Sequence, residues 1–116
     1  MRPITDELVA EITHRIVDRF HPRRIIAFGS YARGEHHPES DLDLIVEMET
    51  ERPFFECSVD IESIFGLRDW AMDLLVYTPI EYAKQKAVWG TLISLVDSEA
   101  KVLYDDAPNN SAECLK

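Results

Sequence analysis

The chain has 116 residues, 46% hydrophobic and 29% charged, with 22 acidic side chains against 12 basic ones and a formal net charge of −10. That length suits one domain with a core of its own, and the composition excludes a disordered chain. The acidic balance argues against non-specific nucleic-acid binding, which needs a basic surface; it suits a basic protein partner, or divalent cations held by some of the acids. Cys57 and Cys114 lack CxxC spacing, so neither a disulfide framework nor a zinc site is predicted. No apolar run approaches the ~20 residues that span a bilayer, and residues 1–6 lack the apolar stretch of a signal peptide. The expected setting is soluble, reducing and cytoplasmic.

Residues 5–20 read as an amphipathic helix, because Leu8, Val9, Ile12, Ile16, Val17 and Phe20 recur at helical spacing. Thr5 or Asp6 supplies the cap, and His21-Pro22 ends the helix, since a residue before proline resists the α region. Residues 24–28 form a short β-branched, apolar strand that stops at Gly29. Residues 30–33 form a helical turn closed by Gly34, and the polar, proline-bearing residues 35–40 form a loop. Residues 41–48 alternate: Leu42, Leu44, Val46 and Met48 point one way, and Asp41, Asp43, Ile45 and Glu47 the other.

Beyond a charged loop, Pro53 fits the first turn of a helix that runs to about residue 64. Its expected apolar contacts are Phe54, Val59, Ile61, Ile64 and Phe65, with Gly66 as terminator. Residues 71–77 are a third strand with Asp73 embedded among apolar neighbours. Thr78 caps the next helix and Pro79 takes its first position; the helix continues, with a break, through residues 90–96. Residues 101–104 form a final edge strand, and a frayed tail begins at Asp105. Phe54, Phe55, Trp70 and Trp89 are assigned to the core, any exposed member becoming a candidate partner surface. The order predicts an α+β (α/β) domain, a small mixed sheet packed with helices. Whether the first two strands pair in parallel or antiparallel is left open by the pattern.

Three features carry candidate chemistry. Asp41 and Asp43, two apart on a strand, emerge on one face about 6.6 Å apart. At an effective dielectric near 20 they repel by roughly 2.5 kcal/mol, which folding does not require and a divalent cation would turn into coordination. Asp73 sits in a run that otherwise wants burial, so it should be paired, coordinated or at a strand end facing a cleft. On a neighbouring strand it would bring three carboxylates together, enough for two metals about 4 Å apart. Gly29 lets backbone approach an anion, and the N–H groups of Ser30 and Tyr31 can donate to phosphate. Each has a plainer reading: a solvated strand face, an Asp73–Arg68 ion pair or a strand cap, and a serine-capped turn. His36 and His37, adjacent in the loop, lack the further ligands of a metal site.

The combination is more specific. Gly29-Ser30, ten residues, then Asp41-Leu42-Asp43, with an acid on a later strand, resembles the signature of the nucleotidyltransferase superfamily related to DNA polymerase β. The wording Gly-Ser-Tyr-Ala-Arg-Gly-Glu…Ser-Asp-Leu-Asp-Leu-Ile-Val is similar to its minimal branch, the MNT-domain proteins, in the form of the antitoxins encoded beside HEPN-domain toxins. The resemblance spans residues 24–104, and it implies a minimal nucleotidyltransferase domain over residues 1–105 with a flexible tail at 106–116.

The resemblance implies that Gly29 and Ser30 hold the β- and γ-phosphates of a nucleoside triphosphate. It implies that Asp41 and Asp43 bind two Mg²⁺ ions, and that Asp73 binds the catalytic one and helps deprotonate the attacking hydroxyl. Arg33 could steer phosphate. The substrate would be ATP, the product an adenylylated tyrosine on a HEPN RNase toxin, and the consequence a silenced toxin. An alternative is a non-catalytic antitoxin that neutralises its partner by binding; a further one is a transferase for a small-molecule hydroxyl. No membrane or direct nucleic-acid contact is expected, and homo-oligomerisation is left open.

Overall fold

The computed structural model describes residues 3–35, 37 and 40–106; His36 and all but the first residue of the tail expected over residues 106–116 lie outside the described residues. The elements are α1 (Asp6–Phe20), β1 (Arg24–Phe28), α2 (Gly29–Ala32), β2 (Leu42–Glu47), α3 (Phe54–Ser63), β3 (Met72–Tyr77), α4 (Pro79–Lys86), α5 (Leu92–Val96), a 3₁₀ turn (Asp97–Glu99) and β4 (Lys101–Asp105). They build one four-stranded sheet in the order β3-β2-β1-β4. β1 runs antiparallel to both β2 and β4, while β2 and β3 are parallel, so the sheet is mixed.

Capping follows the sequence closely. The Thr5 hydroxyl accepts from the Leu8 amide at 3.1 Å, and α1 ends at His21, whose φ of +50° breaks the helix before Pro22. Thr78 and Glu81 form a reciprocal capping box at the start of α4, with Pro79 behind the cap. Thr91 caps α5 by accepting from the Ser94 amide at 3.2 Å.

Both faces of the sheet are covered. On one, Leu8, Ile12 and Ile16 of α1 and Cys57 and Ile61 of α3 pack on Ile25, Leu42, Leu44, Val46, Leu74 and Val76. On the other, Tyr82 of α4 and Ile93 of α5 pack on Ile26 and Ile45. β2 is therefore central and buried on both sides, each fully buried aliphatic side chain contributing about 1.5–3 kcal/mol.

Three expectations change. Pro53 stands just outside α3, at its cap position, and the buried stripe of that helix is Cys57, Ser58 and Ile61, continued by Phe65. Phe54 (56% exposed) and Val59 (63%) face solvent, as does Phe55. The apolar residues of α3 are interleaved with charged and polar ones and spread over more than one side, so composition does not mark its inner face; residues 57, 61 and 65, four apart, do. Trp89, assigned to the core, is 91% exposed, whereas Trp70 is buried edge-on against Phe65 with centroids 5.9 Å apart. Asp105 belongs to β4 rather than a tail: it pairs with Arg24 in the ladder and its carboxylate meets Arg23 at 2.7 Å.

No described helix is long and apolar enough to cross a membrane. The inward phase of α3 is testable by urea unfolding. Ile61→Ala should cost about 2–5 kcal/mol, whereas Val59→Ala, on the exposed side of the same helix, should stay within about 0.5 kcal/mol of the parent.

Candidate active site

The parallel register of β2 and β3 sets Asp43 opposite Asp73. Both carboxylates therefore rise from the sheet face that α4 and α5 cover only in part. Asp73 is exposed, on the second residue of an edge strand. Arg68, its candidate ion-pair partner, turns instead to Glu62 at 3.2 Å. Asp41 lies one residue ahead of β2, exposed, close enough to act on Asp43.

The end of β1 completes the arrangement. Phe28 is the register partner of Asp43, so the chain leaves β1 directly beside that carboxylate and turns at Gly29, whose φ is +73°. A Cβ on Gly29 would sit 2.4 Å from Asp43 Oδ2. Conformation and space thus both demand glycine here. The α2 turn that follows has no side-chain cap from Phe28, and the first N–H groups of a helix have no acceptor within it.

That turn is held from behind. Tyr31, buried, donates its hydroxyl proton to Asp6 Oδ1 at 2.6 Å, and Lys101 Nζ lies 5.2 Å from the centre of its ring. Burial, then the bond to Asp6, pushes the Tyr31 phenol up to about 12, so it stays a proton donor at neutral pH. Arg33 Nε donates to Glu35 at 2.9 Å and its Nη1 to Glu99 at 3.1 Å. A cavity of about 420 Å³ lies between α1 and β4, with Tyr31 in its wall. It opens behind the turn, away from the carboxylates.

Burial first, then the charges of Asp73 and Asp41, push the Asp43 carboxyl up to about 6, while Arg33 pulls it down. A proton held between Asp43 and Asp73 would relieve the repulsion that their facing register creates. A cation there would do what the proton does. The donors are all carboxylate oxygens, which suits a hard divalent ion. Among the described residues no group of three or more His, Cys, Asp or Glu side chains gathers to hold a metal unaided. Mg²⁺ does not need one, because it takes one or two carboxylates and completes its shell with water and substrate phosphates. His37 stays in its loop, its amide bonded to the Ser40 hydroxyl at 2.9 Å.

Of the residues singled out in the sequence, Gly29, Asp43 and Asp73 are brought into one corner of the sheet, with Ser30, Arg33 and Asp41 around it. The side-chain roles of Tyr31, Asp6 and Glu99 were missed. Tyr31 was within reach of sequence reasoning, as the one large apolar ring in a turn otherwise made of small and charged residues. Asp6 and Glu99, 25 and 66 residues from their partners, leave no local signal.

The nucleotidyltransferase domain model matches the chain over residues 9–114. The protein adenylyltransferase MntA of Thermococcus cleftensis is 37% identical over 75 residues, which cover 61% of this chain and 72% of that protein. A Methanocaldococcus jannaschii protein, provisionally named a protein adenylyltransferase, is 41% identical over 56 residues, 44% of this chain and 56% of that one. A Sulfolobus solfataricus crystal structure, provisionally described as a nucleotidyltransferase, superimposes with a TM-score of 0.61 over 86% of this chain and 79% of its own, at 21% identity. At that identity the likeness shows the fold: a mixed sheet with helices on it.

The crowding of Asp43 makes a prediction about stability. Its carboxyl binds a proton more tightly folded than unfolded, so its contribution to stability falls as pH rises from about 4 to about 6 and stays low above that. Asp43→Asn should therefore melt higher than the parent at pH 8 in a chelator, with the difference gone by about pH 4, in thermal scans at the two pH values. Gly29→Ala should do the opposite: a lower melting temperature at both pH values, because the left-handed backbone costs about 1–2 kcal/mol and the new methyl group meets Asp43.

Proposed function

The chain belongs to the nucleotidyltransferase domain family, and from that premise we propose that it moves AMP from ATP to a hydroxyl of a partner protein. The partner is a HEPN-domain RNase toxin, modified on a tyrosine and silenced, so that the protein acts as its antitoxin in the cytoplasm. The observation that carries this reading is the Asp43–Asp73 pair set by strand register beside the glycine turn. The names of the Thermococcus and Methanocaldococcus relatives support adenylyl transfer to protein.

In this reading the leading amides of α2 and the Ser30 hydroxyl take the β- and γ-phosphates, and Arg33 adds charge at the same end. Asp41, Asp43 and Asp73 would hold two Mg²⁺ ions. Bound there, Mg²⁺ would offset the charge developing on the triphosphate and on the leaving pyrophosphate. Asp73, exposed on the edge strand, is open to an incoming hydroxyl and takes its proton. The hydroxyl oxygen bonds to the α-phosphorus, the bond from that phosphorus to the α–β bridging oxygen breaks, and pyrophosphate departs with the electron pair.

Two further features favour a protein acceptor. The net charge of −10 suits a basic partner. Val88, Trp89, Leu92 and Leu95 are exposed on and between the helices of the same sheet face, large apolar side chains of the kind that protein contacts cover. That surface equally supports the second reading, neutralisation by binding alone.

Incubation with labelled ATP, Mg²⁺ and the HEPN protein encoded next door separates the two. The parent should label the partner, and Asp41→Ala/Asp43→Ala should lose at least about a hundredfold in rate, the scale on which removal of transition-state electrostatics acts. Absence of label, with toxicity still suppressed by the double variant, would favour binding without transfer.

A further inference from the structure

We propose that Glu99 is a positioning residue for nucleotide binding, holding the Arg33 guanidinium at the triphosphate end of the site. The inference rests on the reading that Arg33 meets the triphosphate, and it adds a residue from the far end of the chain.

Arg33 is exposed and long, and left to itself would sample many rotamers. Two carboxylates fix it instead. Glu35, two residues on, accepts from Nε at 2.9 Å, and Glu99, 66 residues on, accepts from Nη1 at 3.1 Å. A guanidinium has five N–H donors in a rigid fork. These two bonds use two of the five donors and leave three for phosphate oxygens. The direction in which the fork is held matters: Arg33 caps α2, the short turn whose first residue, Gly29, lies against Asp43, so the guanidinium is held at the corner that carries the carboxylate pair.

Glu35 alone would not set that position, because it belongs to the same short segment as Arg33 and moves with it. Glu99 belongs to an anchored element. Asp97, at the start of its 3₁₀ turn, accepts from the Tyr82 hydroxyl at 2.6 Å and meets Lys86 Nζ at 3.4 Å. Ala100, just after Glu99, packs with Ile26, Ile45 and Ile93. Lys101, the next residue, reaches over the ring of Tyr31. The segment from Asp97 to Lys101 thus grips the phosphate turn at two neighbouring residues, Tyr31 and Arg33, and only the second grip touches a group that meets substrate.

The test is ATP affinity measured by calorimetry with Mg²⁺ and no acceptor, on Glu99→Gln, Glu99→Asp, Arg33→Ala and the Arg33→Ala/Glu99→Gln double variant, with a melting temperature for each. Glu99→Gln should weaken ATP binding about two- to fivefold, the range an exposed ion pair commands, with its melting temperature close to the parent's. Glu99→Asp, which keeps the charge, should recover part of the affinity. In the Arg33→Ala background Glu99→Gln should change nothing further, since Glu99 acts through Arg33. Unchanged or tighter ATP binding by Glu99→Gln would overturn the proposal, the tighter case showing that Glu99 competes with the triphosphate for Arg33. If Arg33→Ala weakens binding and Glu99→Gln does not, the positioning role alone fails. If Arg33→Ala itself has no effect, the phosphate reading of Arg33 fails, and this proposal with it.

Discussion

Parallel pairing of β2 and β3 obliges Asp43 and Asp73 to share one corner of the sheet. At the strand separation of about 5 Å, and an effective dielectric near 20, two ionised carboxylates repel by about 3 kcal/mol. The rest of the molecule is what makes that arrangement affordable. β2 is buried on both faces, so its register cannot slip by one residue without turning Leu42, Leu44 and Val46 out of the larger core. Aliphatic packing two residues away thus holds the acids against their own repulsion. Relief has to come from a proton or a cation, and this turns a structural liability into a binding site.

The second constraint is spatial. Asp43 stands where a side chain on the residue after β1 would have to be, so the turn toward α2 and the carboxylate occupy one corner only because that residue is Gly29. The turn is then secured by contacts from both termini of the domain: Asp6 of α1 on Tyr31, and Lys101 and Glu99 on Tyr31 and Arg33. α4, α5 and the 3₁₀ turn form an arch over the second face of the sheet. Its inner side supplies Tyr82 and Ile93 to the core and its outer side leaves Trp89 and Leu95 exposed.

Charge is distributed to the same end. Arg23, Arg24, Arg33, Arg52 and Arg68 each face a carboxylate of this chain. Basic groups are spent internally, and the surplus of ten acidic charges remains for the surroundings. Exposed pairs of this kind add little stability individually. Arg24 is the exception in setting: its guanidinium stacks 4.7 Å over the Tyr82 ring and bonds the buried Glu47 at 2.8 Å, tying α4 to the two central strands.

Much of this was legible beforehand. Caps at Thr5 and Thr78, the stop at Gly29 and the placing of the strands are local, and local signals of turn chemistry and period-two alternation are written in adjacent residues. The inner face of α3 was misread because its apolar residues spread over more than one side of the helix; packing against the sheet selects Cys57, Ile61 and Phe65. Trp89 was misread because its size argues for burial, whereas it stands exposed in the turn between α4 and α5. The antiparallel pairing of β1 with β2 and the parallel pairing of β2 with β3, and hence the meeting of Asp43 with Asp73, belong to the tertiary structure alone. Sequence by itself determined which residues could do the chemistry, because reactivity and turn geometry are properties of short segments. Which of them stand together was decided by strand pairing and by long-range contacts such as Arg33–Glu99, because register is set by the packing of a whole core.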